Sequence, residues 1–147
     1  VDMENFSPEE FMQHKVVVLV VSTTGEGEPP DNAFEFFKWL EDDDLSGDVL
    51  SGIKFTVMGL GNRQYVNFNA CGKAADKHLE RLGAERIYHL GEGDADQNKT
   101  EKCFEEWKGG GLWPALQKAM GVGDQTLAGV AEIGMSLETV EEVQSKL

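Results

Sequence analysis

A continuous run of aliphatic residues, Val16-Val17-Val18-Leu19-Val20-Val21, leads into a turn-rich segment and then into an apolar helical pattern. A strand with one wet face alternates apolar and polar residues. An unbroken run is what a strand covered on both faces needs, and a parallel sheet flanked by helices supplies that cover. The order then repeats. Ile53-Lys54-Phe55-Thr56-Val57-Met58 reads as a second strand, followed by the loop Gly59–Asn69. After it, Ala70, Ala74, Ala75, His78, Leu79 and Leu82 share a helical stripe, with Gly83 placed to end it. Arg86-Ile87-Tyr88-His89-Leu90 reads as a third, shorter strand, followed by the polar loop Gly91–Asn98 and a helix carrying Phe104 and Trp107. Strand, loop, helix, repeated in that order, predicts an α/β fold: a doubly wound parallel sheet with helices on both faces.

Local signals place the remaining elements. Ser7-Pro8-Glu9-Glu10 combines an N-cap serine, proline at the first helical position and acids in the first turn. Asp31 stands as N-cap before Ala33, Phe34, Phe36, Phe37, Trp39 and Leu40, a helix with a broad buried face that Asp42-Asp43-Asp44 ends. Gly109-Gly110-Gly111 should break the helix carrying Phe104 and Trp107 before Leu112-Trp113-Pro114-Ala115-Leu116. Beyond Gly121 the composition turns bland and acidic, with a helical pattern from Ser136 to Leu147. The expected organisation is a domain over 1–121 and a linker, or the start of a following region, over 122–147.

Composition narrows the function. With 147 residues, 40% of them hydrophobic, the chain can bury a substantial core. Its 27 Asp+Glu against 13 Lys+Arg give a net charge of −14. That balance disfavours nucleic-acid backbones and anionic lipid as partners; it suits a cationic protein partner or simply keeps the protein in solution. Cys71 and Cys103 have neither CxxC nor zinc-like spacing, so no metal site is expected and a reducing compartment is the simplest inference. The longest aliphatic run is too short to cross a bilayer, and the first residues lack the features of a signal peptide. No direct membrane contact is expected of this chain, and any anchor would lie outside it. His14, His78 and His89 are scattered and read as structural. No catalytic side chain can be assigned, and hydrolase chemistry has no support.

In doubly wound sheets ligands bind beyond the carboxyl ends of the strands. Three loops should gather there. Ser22-Thr23-Thr24-Gly25-Glu26-Gly27-Glu28-Pro29-Pro30-Asp31-Asn32 is either a ligand loop rich in backbone groups or a structured turn; it lacks the GxGxxG spacing of a dinucleotide site. In Gly59-Leu60-Gly61-Asn62-Arg63-Gln64-Tyr65-Val66-Asn67-Phe68-Asn69, Tyr65 can stack on a flat ring, or Tyr65 and Phe68 can cap the core. Gly91-Glu92-Gly93-Asp94-Ala95-Asp96 lacks the ligand alternation of a calcium loop and reads better as solvated acid.

Together these motifs resemble the FMN-binding, flavodoxin-like domain of the diflavin reductases, the family of NADPH–cytochrome P450 reductase. The matching residues are Ser22 to Ala33, Gly59 to Asn62 with Tyr65 and Phe68-Asn69, Gly72-Lys73, Asp76-Lys77, Leu79-Glu80, Leu82-Gly83-Ala84, Gly91, Gly93-Asp94 and Leu112-Trp113-Pro114-Ala115. The likeness runs from about Phe6 to Gly121. It implies a flavoprotein of electron transport that takes electrons from an FAD/NADPH domain outside this chain and passes them singly to a haem protein such as a basic cytochrome. The cofactor-binding residues it implies are Ser22, Thr23, Thr24, Gly25, Leu60, Gly61, Asn62, Arg63, Gln64, Tyr65, Asn67, Phe68, Asn69, Asp94 and Ala95. Tyr65 would stack on the ring and Gly25 would offer a carbonyl to its protonated N5. The amides of Leu60, Gly61 and Asn62, with Asn67 and Asn69, would hold the pyrimidine edge and ribityl chain. Glu26, Glu28, Glu92, Asp94 and Asp96 would form an acidic docking rim. The implied location is the cytosol or the cytosolic face of the endoplasmic reticulum.

The chain departs from the family in several places. The family's phosphate loop is absent, which implies a sheet lacking its first strand and a fragment that alone is inactive and binds FMN poorly or not at all. Thr24 stands where these reductases carry a second stacking aromatic, and Ala95 where they carry an acid. Thr100-Glu101-Lys102 replaces a more acidic stretch, and Gly109–Gly111 adds a residue. Two alternatives stand beside the main reading. One is a flavodoxin-fold interaction module that has lost FMN; the other is the FMN domain of a protein similar to methionine synthase reductase or the diflavin partners of iron–sulfur assembly.

Overall fold

The computed structural model describes residues 2–121. The expected linker and the helical pattern from Ser136 to Leu147 lie outside the described residues. Strand β1 (Val16–Ser22) runs parallel to β2 (Lys54–Gly61), with Val16 opposite Lys54 and Ser22 opposite Leu60. The other edge of β2 carries β3 (Glu85–Arg86) and then β4 (Gly91–Asp94), both parallel to it. Helices α2 (Phe34–Leu40) and α3 (Ala70–Arg81) cover one face. Helices α4 (Thr100–Trp107) and α5 (Trp113–Met120) cover the other. The expected parallel α/β sheet with helices on both faces is what forms.

Alternation along the strands builds the two layers. Leu19, Val21, Phe55 and Val57 meet Phe36, Phe37, Leu40, Ala75 and Leu79 on the α2/α3 side. Met58 and Leu60 meet Trp107, Leu112 and Leu116 on the α4/α5 side, with Val16, Val18 and Val20 packed at the margin. Each fully buried Leu or Phe contributes about 1.5–3 kcal/mol. β2 is central and buried from Phe55 onward. β1 is not covered as its composition predicts: Val16, Val18 and Val20 are only half-buried, and among the described residues β1 pairs with β2 alone. A short helix α1 (Pro8–Phe11), capped by Ser7 accepting from the Glu10 N–H at 3.4 Å, pins the N-terminal segment. Phe6 and Phe11 pack there on Phe36 and Trp39, with Phe6–Phe36 centroids 5.1 Å apart.

Several boundaries differ from expectation for local reasons. Of the strand expected over Arg86–Leu90 only Arg86 is paired, in β3, and residues 87–90 are irregular. The Thr56 hydroxyl donates to the Tyr88 carbonyl (3.1 Å) and the Trp107 indole N–H to that of His89 (2.8 Å), so side chains take the carbonyls that a ladder would use. Gly91-Glu92-Gly93-Asp94, expected as loop, is β4 instead, in register with Met58–Gly61. A Cβ on Gly91 would press on Met58 Sδ and lie 2.9 Å from the Trp107 ring, so glycine is what lets the strand lie this close. β2 itself continues through Gly61. Asp31 caps nothing with its side chain, because a 3-10 turn over Asp31–Ala33 precedes α2, and Phe34 points outward at 57% exposure. Of the predicted stripe, Ala75, Leu79 and Leu82 are buried, while Cys71 and Gly72 join them and Ala70, Ala74 and His78 are only half-buried. The glycine break before α5 is a π-helical turn over Lys108–Leu112 with Gly111 at φ 138°.

Candidate functional site

The three loops that follow strands converge beyond the carboxyl end of β2. The first folds on itself. Thr24 pairs with Glu28, N–H to O=C at 2.9 and 3.0 Å, and the Thr24 hydroxyl donates to the Glu28 carbonyl at 3.1 Å. Only glycine adopts the intervening backbone cheaply: Gly25 has φ 47° and Gly27 φ 108°. This turn is then tied to the second loop. The Cys71 N–H donates to Thr23 Oγ1 at 3.1 Å, Cys71 Sγ reaches the Gly27 carbonyl at 3.5 Å, and the Asn67 amide donates to the Glu26 carbonyl.

The second and third loops are joined through Asp94. Its side chain is fully buried. Oδ1 accepts from the N–H groups of Arg63 and Asp96, each at 3.1 Å, and the Arg63 guanidinium pairs with Oδ2. Burial opposes the charge, yet those two N–H groups and the guanidinium hold the carboxyl below the usual carboxylate range. The Gln64 amide donates to Asp96 Oδ1 at 2.7 Å, and the Ala95 N–H to the Gly61 carbonyl at 2.7 Å. Behind both loops sits Asn69, buried with φ 53°, whose amide donates to the Gly93 carbonyl at 3.1 Å while its Oδ1 has no partner.

A cavity of about 300 Å³ remains between the loops, lined by Thr23, Thr24, Gly25, Gly61, Asn62, Tyr65, Asn67, Phe68 and Asn69. These nine are all among the residues expected at the site. Ser22 and Leu60 are instead buried in paired strands. Arg63 and Gln64 turn away from the cavity to Asp94 and Asp96. Asp94 and Ala95 do not line it.

The expected docking rim needs one correction, because Asp94 is inaccessible. Glu92 is exposed and pairs with Lys73 at 3.2 Å, and half-buried Asp96 accepts from Gln64. Glu26, Glu28 and Asp31 are the exposed acids beside the first loop. Sequence reasoning also missed Cys71 and Lys73 as struts. Lys73 donates to the Phe68 carbonyl at 3.1 Å and lies over the Phe68 ring at 5.4 Å. Their position in the first turn of the helix after the second loop was the available signal. Burial pushes the Cys71 thiol up, and the charges of Glu41 and Glu28 push the same way against the Thr23 hydrogen bond, so it stays neutral.

A parallel sheet sheathed on both faces, with a cavity at the carboxyl ends of its strands, is the arrangement of a flavodoxin-type domain. The flavodoxin family model matches residues 1–107, and the chain belongs to that family. Within it, the chain is 46% identical over 121 residues to human NADPH–cytochrome P450 reductase and 42% identical over 122 residues to that of Dictyostelium discoideum. Those alignments cover 82% of this chain but only 17% and 18% of the reductases, so the chain spans less than a fifth of their length. Among solved structures, oxidised Flavodoxin 2 from Bacillus cereus superposes with a TM-score of 0.53 at 31% identity, over 69% of this chain and 68% of that one. A flavodoxin from Pseudomonas aeruginosa shares the fold with a TM-score of 0.57 at 24% identity, over 77% and 70% of the two chains.

Proposed function

We propose that this chain supplies the ring-binding part of an FMN site and serves one-electron transfer from an FAD/NADPH module to a haem protein or similar acceptor. The observation that carries the reading is the convergence of three loops on one cavity of about 300 Å³, within the range of small-molecule sites. The residues present fit a flavin ring. Tyr65, 65% exposed at the cavity wall, offers a flat face for stacking. Gly25, Gly61 and Asn62 bring main-chain groups to the wall, and no Cβ on either glycine crowds them. Asn67 and Asn69 add carboxamides, and Asn69 Oδ1 is an acceptor that the fold itself leaves unused. FMN, when bound, supplies the redox chemistry; the protein's part is to orient the ring and set its hydrogen bonding.

The opposite end of the cofactor is less well served. No cationic side chain lines the cavity among the described residues, and Arg63 beside it is committed to Asp94. That observation favours the second reading, an interaction module of the same fold that has lost FMN. Exposed Glu26, Glu28 and Asp31 beside the site suit a basic partner under either reading. A location on the cytosolic side is part of the same proposal. The deciding experiment adds FMN to the purified chain and follows quenching of flavin fluorescence. Saturable quenching that Tyr65→Ala weakens supports the electron-transfer domain; no quenching at millimolar protein leaves the interaction module.

A further inference from the structure

The geometry points to Asp94 as a positioning residue: its buried carboxylate holds the turn Asn62–Tyr65 in the shape that presents Tyr65 to the cavity. The inference rests on the flavin-site reading above. No hydrogen bond or ring contact fixes the Tyr65 side chain among the described residues, so its backbone decides where the ring sits. That backbone is a turn, with the Tyr65 N–H donating to the Asn62 carbonyl at 3.1 Å and the Gln64 N–H to Asn62 Oδ1 at 2.9 Å. The turn lies past the end of β2, where the ladder no longer restrains it. Restraint comes from the last residue of β4 and the segment that follows it. Asp94 takes the Arg63 N–H and guanidinium, and Asp96 takes the Gln64 side chain.

A buried carboxylate is expensive unless its partners satisfy it. Here the partners are the two N–H groups that define the loop geometry, both on Oδ1, while the 60% exposed Arg63 side chain ion-pairs with Oδ2, which accepts no hydrogen bond. Filling space at this position needs no charge. Converging N–H groups need an acceptor. A latch of this kind predicts that losing the acceptor loosens residues 63–65 and misplaces Tyr65, whereas a side chain that only fills the core would change stability and leave a bound ring's surroundings alone.

The test compares the 147-residue chain with Asp94→Ala, Asp94→Asn and Arg63→Gln, using riboflavin as the probe. Three readouts are taken: affinity by fluorescence quenching, visible circular dichroism of the bound ring, and hydrogen exchange of amides 63–65 without flavin. Asp94→Ala should weaken riboflavin about tenfold, the scale of one lost stacking contact, alter the visible band and speed exchange at 63–65. Asp94→Asn, still an acceptor, should recover affinity to within about threefold of wild type. Wild-type affinity and band in Asp94→Ala, or an Asn variant no better than Ala, overturns the proposal. Should Asp94→Ala fail to melt cooperatively, Arg63→Gln decides: faster exchange at 63–65 supports the latch, and unchanged exchange overturns it. If wild type binds no riboflavin, the flavin reading fails by itself, and exchange at 63–65 in Asp94→Ala still decides the latch.

Discussion

A site that grips the ring but not the phosphate should barely distinguish FMN from riboflavin. The perturbation is chemical: riboflavin lacks the phosphate and is otherwise the same ring and ribityl chain. In a site with a phosphate anchor, each charge-assisted hydrogen bond contributes about 1.5–3 kcal/mol, so two of them favour FMN by at least about a hundredfold. The cavity here is lined by threonines, glycines, asparagines and aromatics, with no cation among them. The nearby exposed cations Arg63 and Lys73 are each paired, with Asp94 and Glu92, which leaves Glu26 and Glu28 as the unpaired exposed charges beside it. A unit charge about 10 Å from another costs roughly 0.4 kcal/mol in water-like dielectric, so two such carboxylates shift the balance a few-fold toward riboflavin. The chain should therefore bind riboflavin as tightly as FMN or a few-fold tighter at low ionic strength, with the ratio approaching one as salt screens the carboxylates. Parallel fluorescence titrations of the two ligands at about 20 mM and 500 mM salt measure it. FMN binding tenfold tighter than riboflavin would refute the reasoning, because it would require an anchor that these residues do not provide.

The other predictions test the ring contact, the core and the buried acid. Tyr65→Ala should weaken riboflavin by about one decade, the lower part of the 1–3 kcal/mol stacking range, because Tyr65 is 65% exposed and unsupported before the ligand arrives; unchanged affinity in the same titration removes Tyr65 from the site. Gly91→Ala should lower stability by about 1–3 kcal/mol through overpacking, since the new Cβ would lie 2.9 Å from the Trp107 ring; urea denaturation with a wild-type midpoint would show that β4 can shift to absorb it. Asp94 is held below its ordinary range when folded, so its ionised form stabilises the fold above the unfolded value of about 3.9 and that contribution fades as pH falls through the lower folded value. The Tm gap between wild type and Asp94→Asn should accordingly narrow as pH drops from about 6 to 3. A gap that stays constant would mean that the charge is irrelevant there.

What the sequence made legible and what it hid divide along a physical line. The aliphatic run at Val16–Val21, the helix ended by Gly83 and the capped start at Ser7 are local signals, and each element stands where its residues predict. β4 was not legible because Gly91-Glu92-Gly93-Asp94 has the composition of a loop. Its strand character comes from neighbours far along the chain, namely Met58, Leu60 and the Trp107 ring, which leave room for glycine only. All nine cavity residues were readable as a set because a parallel sheet delivers every post-strand loop to one edge. The roles of Arg63, Gln64 and Asp94 were not. Whether an acid in a polar loop faces solvent or a buried N–H depends on the neighbouring loop, and a pattern of side chains along one segment carries no record of it.

The same contrast explains how a chain with a net charge of −14 keeps a compact carboxyl edge. Acids crowded at the ends of three strands would repel one another, yet the structure assigns them different work. Asp94 is withdrawn from water and neutralised by Arg63, Glu92 is paired with Lys73, and Asp96 holds Gln64. Among the described residues the carboxylates of the first loop have no ion-pair partner, and there the turn is closed by main-chain bonds between Thr24 and Glu28 that need no help from side-chain charge. The loop that can tolerate exposed charge is the one whose fold does not depend on it. Electrostatic docking at this edge would draw on Glu26, Glu28 and Asp31 and on exposed Glu92, while Asp94 and Asp96 hold the cavity's wall in place.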